Sequence, residues 1–204
     1  MKSERKIAES TDFDQYDFKK ATSRAPSLAK IEMPRRSTTT RSFRVDELAL
    51  EAIEKDAARA NVSVNTLVNQ LLLSYANFDH YFGRFQTIKI TSDAFADLIQ
   101  YVPDECAAQA GRRKAGSIAS SVILAKYGSL SLDGVLDHLK TISEYSKFFT
   151  YSESERGGRR AVILIHRFGP KGSIYFTEYL KSMFEMIGLK PKIISTEKAV
   201  NASF

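Results

Sequence analysis

Three polar side chains alternate along a short segment near residue 42, and they could make hydrogen bonds to the bases of a nucleic acid. Thr40, Ser42 and Arg44 follow one another at intervals of two residues. In a β-strand, residues at this spacing project from the same side. An arginine can donate two hydrogen bonds to the edge of a guanine, and short hydroxyl side chains can contact several bases. If residues 38–45 form a strand, this side is suited to contacting bases.

The elements that would position these side chains are a strand and two helices. Residues 38–45 are rich in β-branched side chains, which is typical of a strand. Asp46 then fits the N-cap of a helix over residues 47–60. Asn61 tolerates the left-handed backbone conformation that a tight turn between helices requires. Ser63 fits the N-cap of a second helix. The predicted order is therefore strand, helix, turn and helix.

The second predicted helix is too apolar for the surface of a monomer. Its apolar positions follow the helical repeat almost without a break, at Val64, Leu67, Val68, Leu71, Leu72 and Tyr75. A unit of about 40 residues cannot bury an adequate core by itself. A single strand is also unstable, because its backbone donors and acceptors lack partners. The sequence therefore predicts that two copies pair, strand against strand and second helix against second helix.

Residues 38–77, about a fifth of the chain, resemble the ribbon-helix-helix family of DNA-binding proteins, the Arc and methionine repressor-like group. The segment Ser63-Val64-Asn65-Thr66 is close to the start of the family's second helix, and Arg44-Val45-Asp46-Glu47 resembles its strand-to-helix junction. The family's core apolar, small and turn positions are matched by Ile53, Ala57 and Asn61. The resemblance implies an intertwined homodimer that inserts a β-ribbon into double-stranded DNA.

The resemblance also implies roles for individual residues. Base contacts in the family come from the positions of Thr40, Ser42 and Arg44. A DNA phosphate is held at the start of the second helix, which here implicates Ser63, Val64 and Asn65. Arg41 departs from the family's pattern, because an apolar residue is more usual there. We expect Arg41 either to reach a phosphate or to lie at the frayed end of the ribbon.

The rest of the chain predicts an α+β domain over residues 79–204, with a small antiparallel sheet packed against helices. A strand is expected over residues 85–90, a hairpin around Gly157 and Gly158, a helix over residues 171–187 and a strand over residues 190–196. The domain would sense an effector or mediate oligomerisation. Residues 1–37 are polar and basic, and we expect them to form a disordered arm ahead of the ribbon-helix-helix domain at residues 38–78.

A glycine-bearing loop before the helix over residues 171–187 could bind an anion or ligand through His166, Lys171 and Ser173. A plain structural turn is the alternative interpretation. The three histidines and Cys106 match no metal-ligand spacing, so no metal is expected. No nucleophile, base and orienting group can be assembled either, and the sequence predicts no enzyme and no cofactor.

Composition narrows the class of protein further. The net charge is +6, which is compatible with a nucleic-acid partner. The charge is unevenly distributed, with 11 Lys and Arg against 6 Asp and Glu over residues 1–45, and 2 against 6 over residues 46–80. No apolar run is long enough to span a membrane. The single cysteine excludes a disulfide within the chain and indicates the reducing cytoplasm.

The sequence thus predicts a cytoplasmic, sequence-specific transcriptional regulator that binds double-stranded DNA as a homodimer or a dimer of dimers. A small-molecule or protein effector could act through residues 79–204. Two alternatives stay open at this point. The chain could be an antitoxin-type autorepressor, or its C-terminal domain could be a ligand-binding or enzymatic unit that the N-terminal module merely dimerises.

Overall fold

The computed structural model describes residues 38–156 and 158–204, so the arm expected over residues 1–37 lies outside the described residues. Residues 46–204 form one compact unit, and residues 38–45 belong to a separate N-terminal unit. Residues 38–45 form neither a helix nor a strand paired within the described part of the chain, and all eight are exposed.

The first two helices begin and end where their capping residues predict. The α1 helix spans Glu47–Ala60, and the Asp46 carboxylate accepts hydrogen bonds from two backbone N–H groups of its first turn at 3.0 and 3.3 Å. Asn61 ends the helix with a φ of 54°, so the predicted left-handed turn is confirmed. The α2 helix spans Val64–Ser74, and Ser63 caps it as predicted.

The α2 helix does not stop at the expected boundary near residue 78. It continues through a π-helical turn at Tyr75–Asp79 into a last α-helical turn at His80–Phe82. The Phe82 ring stacks on the Phe78 ring, with 4.3 Å between the ring centroids, and Phe82 is part of the buried core. A continuous helix therefore links the two predicted domains.

Five further helices follow. They are α3 at Ser92–Gln100, α4 at Asp104–Lys114, α5 at Ser120–Tyr127, α6 at Leu132–Thr141 and α7 at Gly169–Glu185. A π-helical turn at Ala115–Ala119 joins α4 to α5, so residues 104–127 form one continuous helix. Gly111 lets α4 approach α7 closely, because a Cβ at this position would lie 2.2 Å from the carbonyl oxygen of Tyr175.

Within the part of the chain that the structure describes, four antiparallel strands form one sheet in the order β1, β2, β4, β3. The strands are β1 at Thr150–Arg156, β2 at Arg159–Ile165, β3 at Lys192–Ser195 and β4 at Ala199–Ser203. The hairpin predicted at the Gly-Gly pair is confirmed, and Gly158 has a φ of 75°. One face of the sheet packs against α7, and the core there includes Val162, Leu164 and Leu180. The expected α+β class with a small antiparallel sheet is confirmed.

Two details of the sheet differ from the prediction. The strand expected over residues 85–90 is wrong: residues 86–90 are irregular and exposed, and no strand of the described chain pairs with them. Their β-branched side chains favour a strand, but a strand forms only where a partner satisfies its backbone. The sequence also missed β4, which lies between β2 and β3.

Candidate nucleic-acid interface

The side chains proposed to read bases lie on an exposed segment. Thr40, Ser42 and Arg44 are exposed, as is Arg41. The alternate side chains that would face the helices of a dimer are exposed as well, and large fractions of Phe43 (73%) and Val45 (54%) are accessible to solvent. Residues 38–45 therefore present both a polar and an apolar set of side chains.

The start of α2 presents backbone donors. Ser63 Oγ accepts a hydrogen bond from the Thr66 N–H at 3.0 Å and lies 2.8 Å from Thr66 Oγ1. The N–H groups of Val64 and Asn65 belong to the first helical turn, where no preceding carbonyl of the helix can accept from them. Ser63 and Asn65 are exposed. The positive end of the helix dipole adds to this site's preference for an anion such as a phosphate.

The apolar face of α2 is largely uncovered. None of its residues is buried. Leu71 and Leu72, together with Tyr75 at the start of the π-helical turn that follows, expose 51%, 55% and 60% of their surfaces. In α1, only Ala57 is buried. Monomeric proteins seldom expose contiguous apolar surfaces of this kind unless the surface binds a partner.

The exposed charges of α1 bear on whether this helix could face DNA. The helix exposes several carboxylates, and two of them pair with cations on the same helix, Glu51 with Lys55 at 2.6 Å and Asp56 with Arg59 at 3.3 Å. Exposed carboxylates repel phosphate groups, so α1 is poorly suited to facing DNA. The basic residues Arg41 and Arg44 precede this helix.

The structure brings His166 and Ser173 together inside the C-terminal half. The Phe168 N–H donates to His166 Nδ1 at 3.3 Å, so Nδ1 must be the unprotonated nitrogen. His166 Nε2 then donates to Ser173 Oγ at 3.0 Å, and the Ser173 hydroxyl donates to the carbonyl of Thr196. Burial lowers the pKa of His166 to about 4, which favours this neutral form.

This hydrogen-bond chain runs opposite to the one that activates a serine nucleophile. A general base accepts the serine proton, whereas His166 donates to Ser173 and the serine proton is directed at a backbone carbonyl. Lys171 lies in the first turn of α7, where it forms an ion pair with Asp104. These contacts tie the start of α7 to α4 and to the turn after β3.

The sequence did not predict a buried pair of side chains in the C-terminal half, His138 and Tyr179. His138 Nε2 lies 3.0 Å from the Tyr179 hydroxyl, and burial lowers the pKa of His138 to about 4. Within the described chain, His138 Nδ1 has no hydrogen-bond partner. The two residues are 41 positions apart, and no local pattern relates them. No group of three metal-ligating side chains occurs among the described residues.

A scan against protein-family models and a search of curated proteins found no match to this chain. Among the described helices, none combines the length and the apolar character needed to cross a bilayer.

Proposed function

We propose that this protein is a sequence-specific transcriptional regulator that binds double-stranded DNA as a homodimer. The observation that carries the proposal is the alternation of Thr40, Ser42 and Arg44 on an exposed segment that pairs with no strand of the described chain. A second copy supplies the missing strand, and two such segments form an antiparallel ribbon. A two-stranded ribbon fits the major groove of B-DNA, which is about 12 Å wide.

The exposed helix face supports the same assembly. Packing α2 against its copy would bury Leu71, Leu72 and Tyr75, which are half exposed or more in the single chain. Each fully buried side chain of this size contributes about 1.5–3 kcal/mol relative to exposure. This gain offsets the entropy lost when residues 38–45 become ordered.

Phosphate contacts would then hold the ribbon in the groove. The N–H groups at the start of α2, beside Ser63 and Asn65, are suited to a phosphate oxygen, and Arg41 supplies a cation on the same module. Contacts of this kind fix the position of a protein on DNA, and base contacts fix the sequence. Residues 79–204 would add an effector-sensing or oligomerisation function.

The test begins with selection of binding sites from a random pool of DNA duplexes, using the full chain. We expect a two-fold symmetric sequence to be enriched. Arg44→Ala should lower affinity for the selected site by about 30-fold or more, since the dimer loses two bidentate base contacts of about 1–3 kcal/mol each. Sedimentation should show that the variant is still a dimer.

Arg59→Ala is the matched control, because Arg59 is an exposed cation on α1 and its removal changes the charge equally. It should leave the site preference intact. Enrichment of no sequence, or equal losses for Arg44→Ala and Arg59→Ala, would overturn the proposal. In that case the N-terminal module would serve only to dimerise the rest of the chain.

A further inference from the structure

The four-stranded sheet has one covered face and one open face. Side chains alternate between the faces along each strand. Val162, Leu164, Val200 and Ala202 point to the covered side and are fully buried. The described side chains of the open face are those of residues 150, 152 and 154 of β1, the even-numbered residues of β3 and the odd-numbered residues of β2 and β4, and none of these is buried.

The register aligns the open-face residues in rows. One row crosses all four strands through Ser152, Ile163, Asn201 and Ile194. Hydroxyl or amide groups occupy five described positions of the open face, on β1 and β4. Those five are Thr150, Ser152, Ser154, Asn201 and Ser203. The Ser203 hydroxyl donates to the carbonyl of Lys192 at 3.3 Å, and the other four groups can donate hydrogen bonds to acceptor oxygens of a ligand.

The charge of the open face has a single sign. Its described residues include two exposed cations, Arg159 and Lys192, and no carboxylate. The acidic residues of β1, Glu153 and Glu155, project from the other side of the strand. Arg159 begins β2 and Lys192 begins β3, so both cations lie at the same end of the sheet. Strands β2 and β3 are separated only by β4, and Lys192 is level with Ala161, two residues along β2 from Arg159, so the backbones of the two cations lie about 12 Å apart.

We infer that the open face contacts the phosphodiester backbone of duplex DNA. This inference rests on the proposed function and extends it from the N-terminal module to the C-terminal half. Cations attract the phosphates, and the hydroxyl and amide groups can donate hydrogen bonds to phosphate oxygens. A second copy of the sheet fits less well, because two stacked open faces would bring together cations with no carboxylate to neutralise them.

The test measures binding of the full chain to a short random-sequence duplex by fluorescence anisotropy at several salt concentrations. In the double variant Arg159→Gln with Lys192→Gln, affinity at low salt should fall about tenfold. The slope of log affinity against log salt should become shallower by about 3.6 per bound dimer, since two chains each lose two phosphate contacts of about 0.9 each. Circular dichroism checks that the variant is folded.

The matched control is Lys140→Gln with Lys181→Gln, which removes two exposed cations from α6 and α7. We expect its salt slope to stay close to that of the parent chain. Ser152→Asp gives an independent check, because a carboxylate on the open face should weaken binding with no cation removed. Equal slopes for the parent chain and the Arg159 and Lys192 double variant would overturn the inference. A change of association state without a change in DNA affinity would also overturn it, in favour of contact between copies.

The same double variant is also measured in a chain carrying Arg44→Ala. Because the open face would contact the DNA backbone and not the bases, the double variant should change the salt slope in the Arg44→Ala chain as well. If Arg44→Ala removes site preference but the double variant has no effect, only the further inference fails. If the slope changes but no sequence is ever preferred, the open face still binds DNA and the proposed function fails.

Discussion

Helices α2 and α7 have similar apolar patterns but very different surroundings. The α7 helix buries seven residues between the sheet and the other helices, including Phe176 and Leu180. The α2 helix buries none of its residues between Val64 and Ser74. An amphipathic pattern therefore indicates that a helix has a packing partner without indicating where that partner is. For α7 the partner is in the same chain, and for α2 we propose a second copy.

Polar groups show the same contrast. In the C-terminal half, the buried side chains of His166 and Ser173 bond to each other and to the backbone. By contrast, residues 38–45 pair with no strand of the described chain. A β-prone segment without a partner strand is costly in isolation and gains stability from pairing. We therefore propose that stability within one chain and assembly between chains depend on different parts of the sequence.

Truncating the core of the C-terminal half should have the largest effect. Leu180 on α7 is fully buried. Leu180→Ala should lower the free energy of unfolding by about 2–5 kcal/mol, because it removes buried methyl groups and leaves a cavity. Urea titration followed by circular dichroism measures the loss. This loss of unfolding free energy should be the same at low and high protein concentration, because α7 packs within one chain. A loss that depends on concentration would contradict the difference that we propose between α7 and α2.

A charge on the exposed face of α2 should act on assembly instead. Leu71→Glu should raise the dissociation constant of the dimer by about 100-fold, or about 2.7 kcal/mol, because a carboxylate is poorly tolerated in an apolar interface. Analytical ultracentrifugation measures this constant. Gln70→Glu adds the same charge at the neighbouring exposed position and should change the constant little. A dimer unaffected by Leu71→Glu would show that this face is not the interface.

Acid should weaken the C-terminal half through its buried histidines. Burial lowers the pKa of both His138 and His166 to about 4, so the folded state favours their neutral forms. Their contribution to stability is complete above the ordinary histidine pKa of about 6.5. It is lost as the pH falls from about 6.5 towards 4, by at most about 1.4 kcal/mol per pH unit for each histidine.

Urea titrations at several pH values between 7 and about 4.5 measure this loss. His166→Gln should make the dependence of the unfolding free energy on pH shallower over this range. His80, which is exposed on the last turn of the long helix, provides the control substitution His80→Gln. An equally steep dependence in the parent chain and in His166→Gln would contradict the assignment of a neutral, buried His166.

The sequence correctly predicted the structural features that depend on residues close to one another in the chain. Asp46, Asn61 and Ser63 cap or turn the first two helices as expected, since each acts on a backbone only a few residues away. The Gly-Gly hairpin was predictable for the same reason. The irregular segment at residues 86–90 was not, because strand formation depends on a distant partner that the pattern does not reveal.

Long-range features of the sheet and of the candidate sites were also beyond the sequence. Strand β4 has few large apolar residues, and only its pairing between β2 and β3 places Val200 in the core. The contact of His138 with Tyr179 joins two helices that are far apart in sequence. For the N-terminal module, the sequence predicted which residues alternate, and the structure adds that Thr40, Ser42 and Arg44 are exposed.

The proposed function requires residues 38–45 of two chains to pair as antiparallel strands that DNA then contacts. Amide hydrogen exchange, measured by NMR on the full chain, detects such pairing residue by residue. In an antiparallel pair of strands, hydrogen-bonded and non-hydrogen-bonded residues alternate. We expect alternate amides between residues 38 and 45 to exchange slowly at concentrations that favour the dimer, and more slowly still with a selected duplex. Fast exchange of every amide in this segment under both conditions would contradict the account.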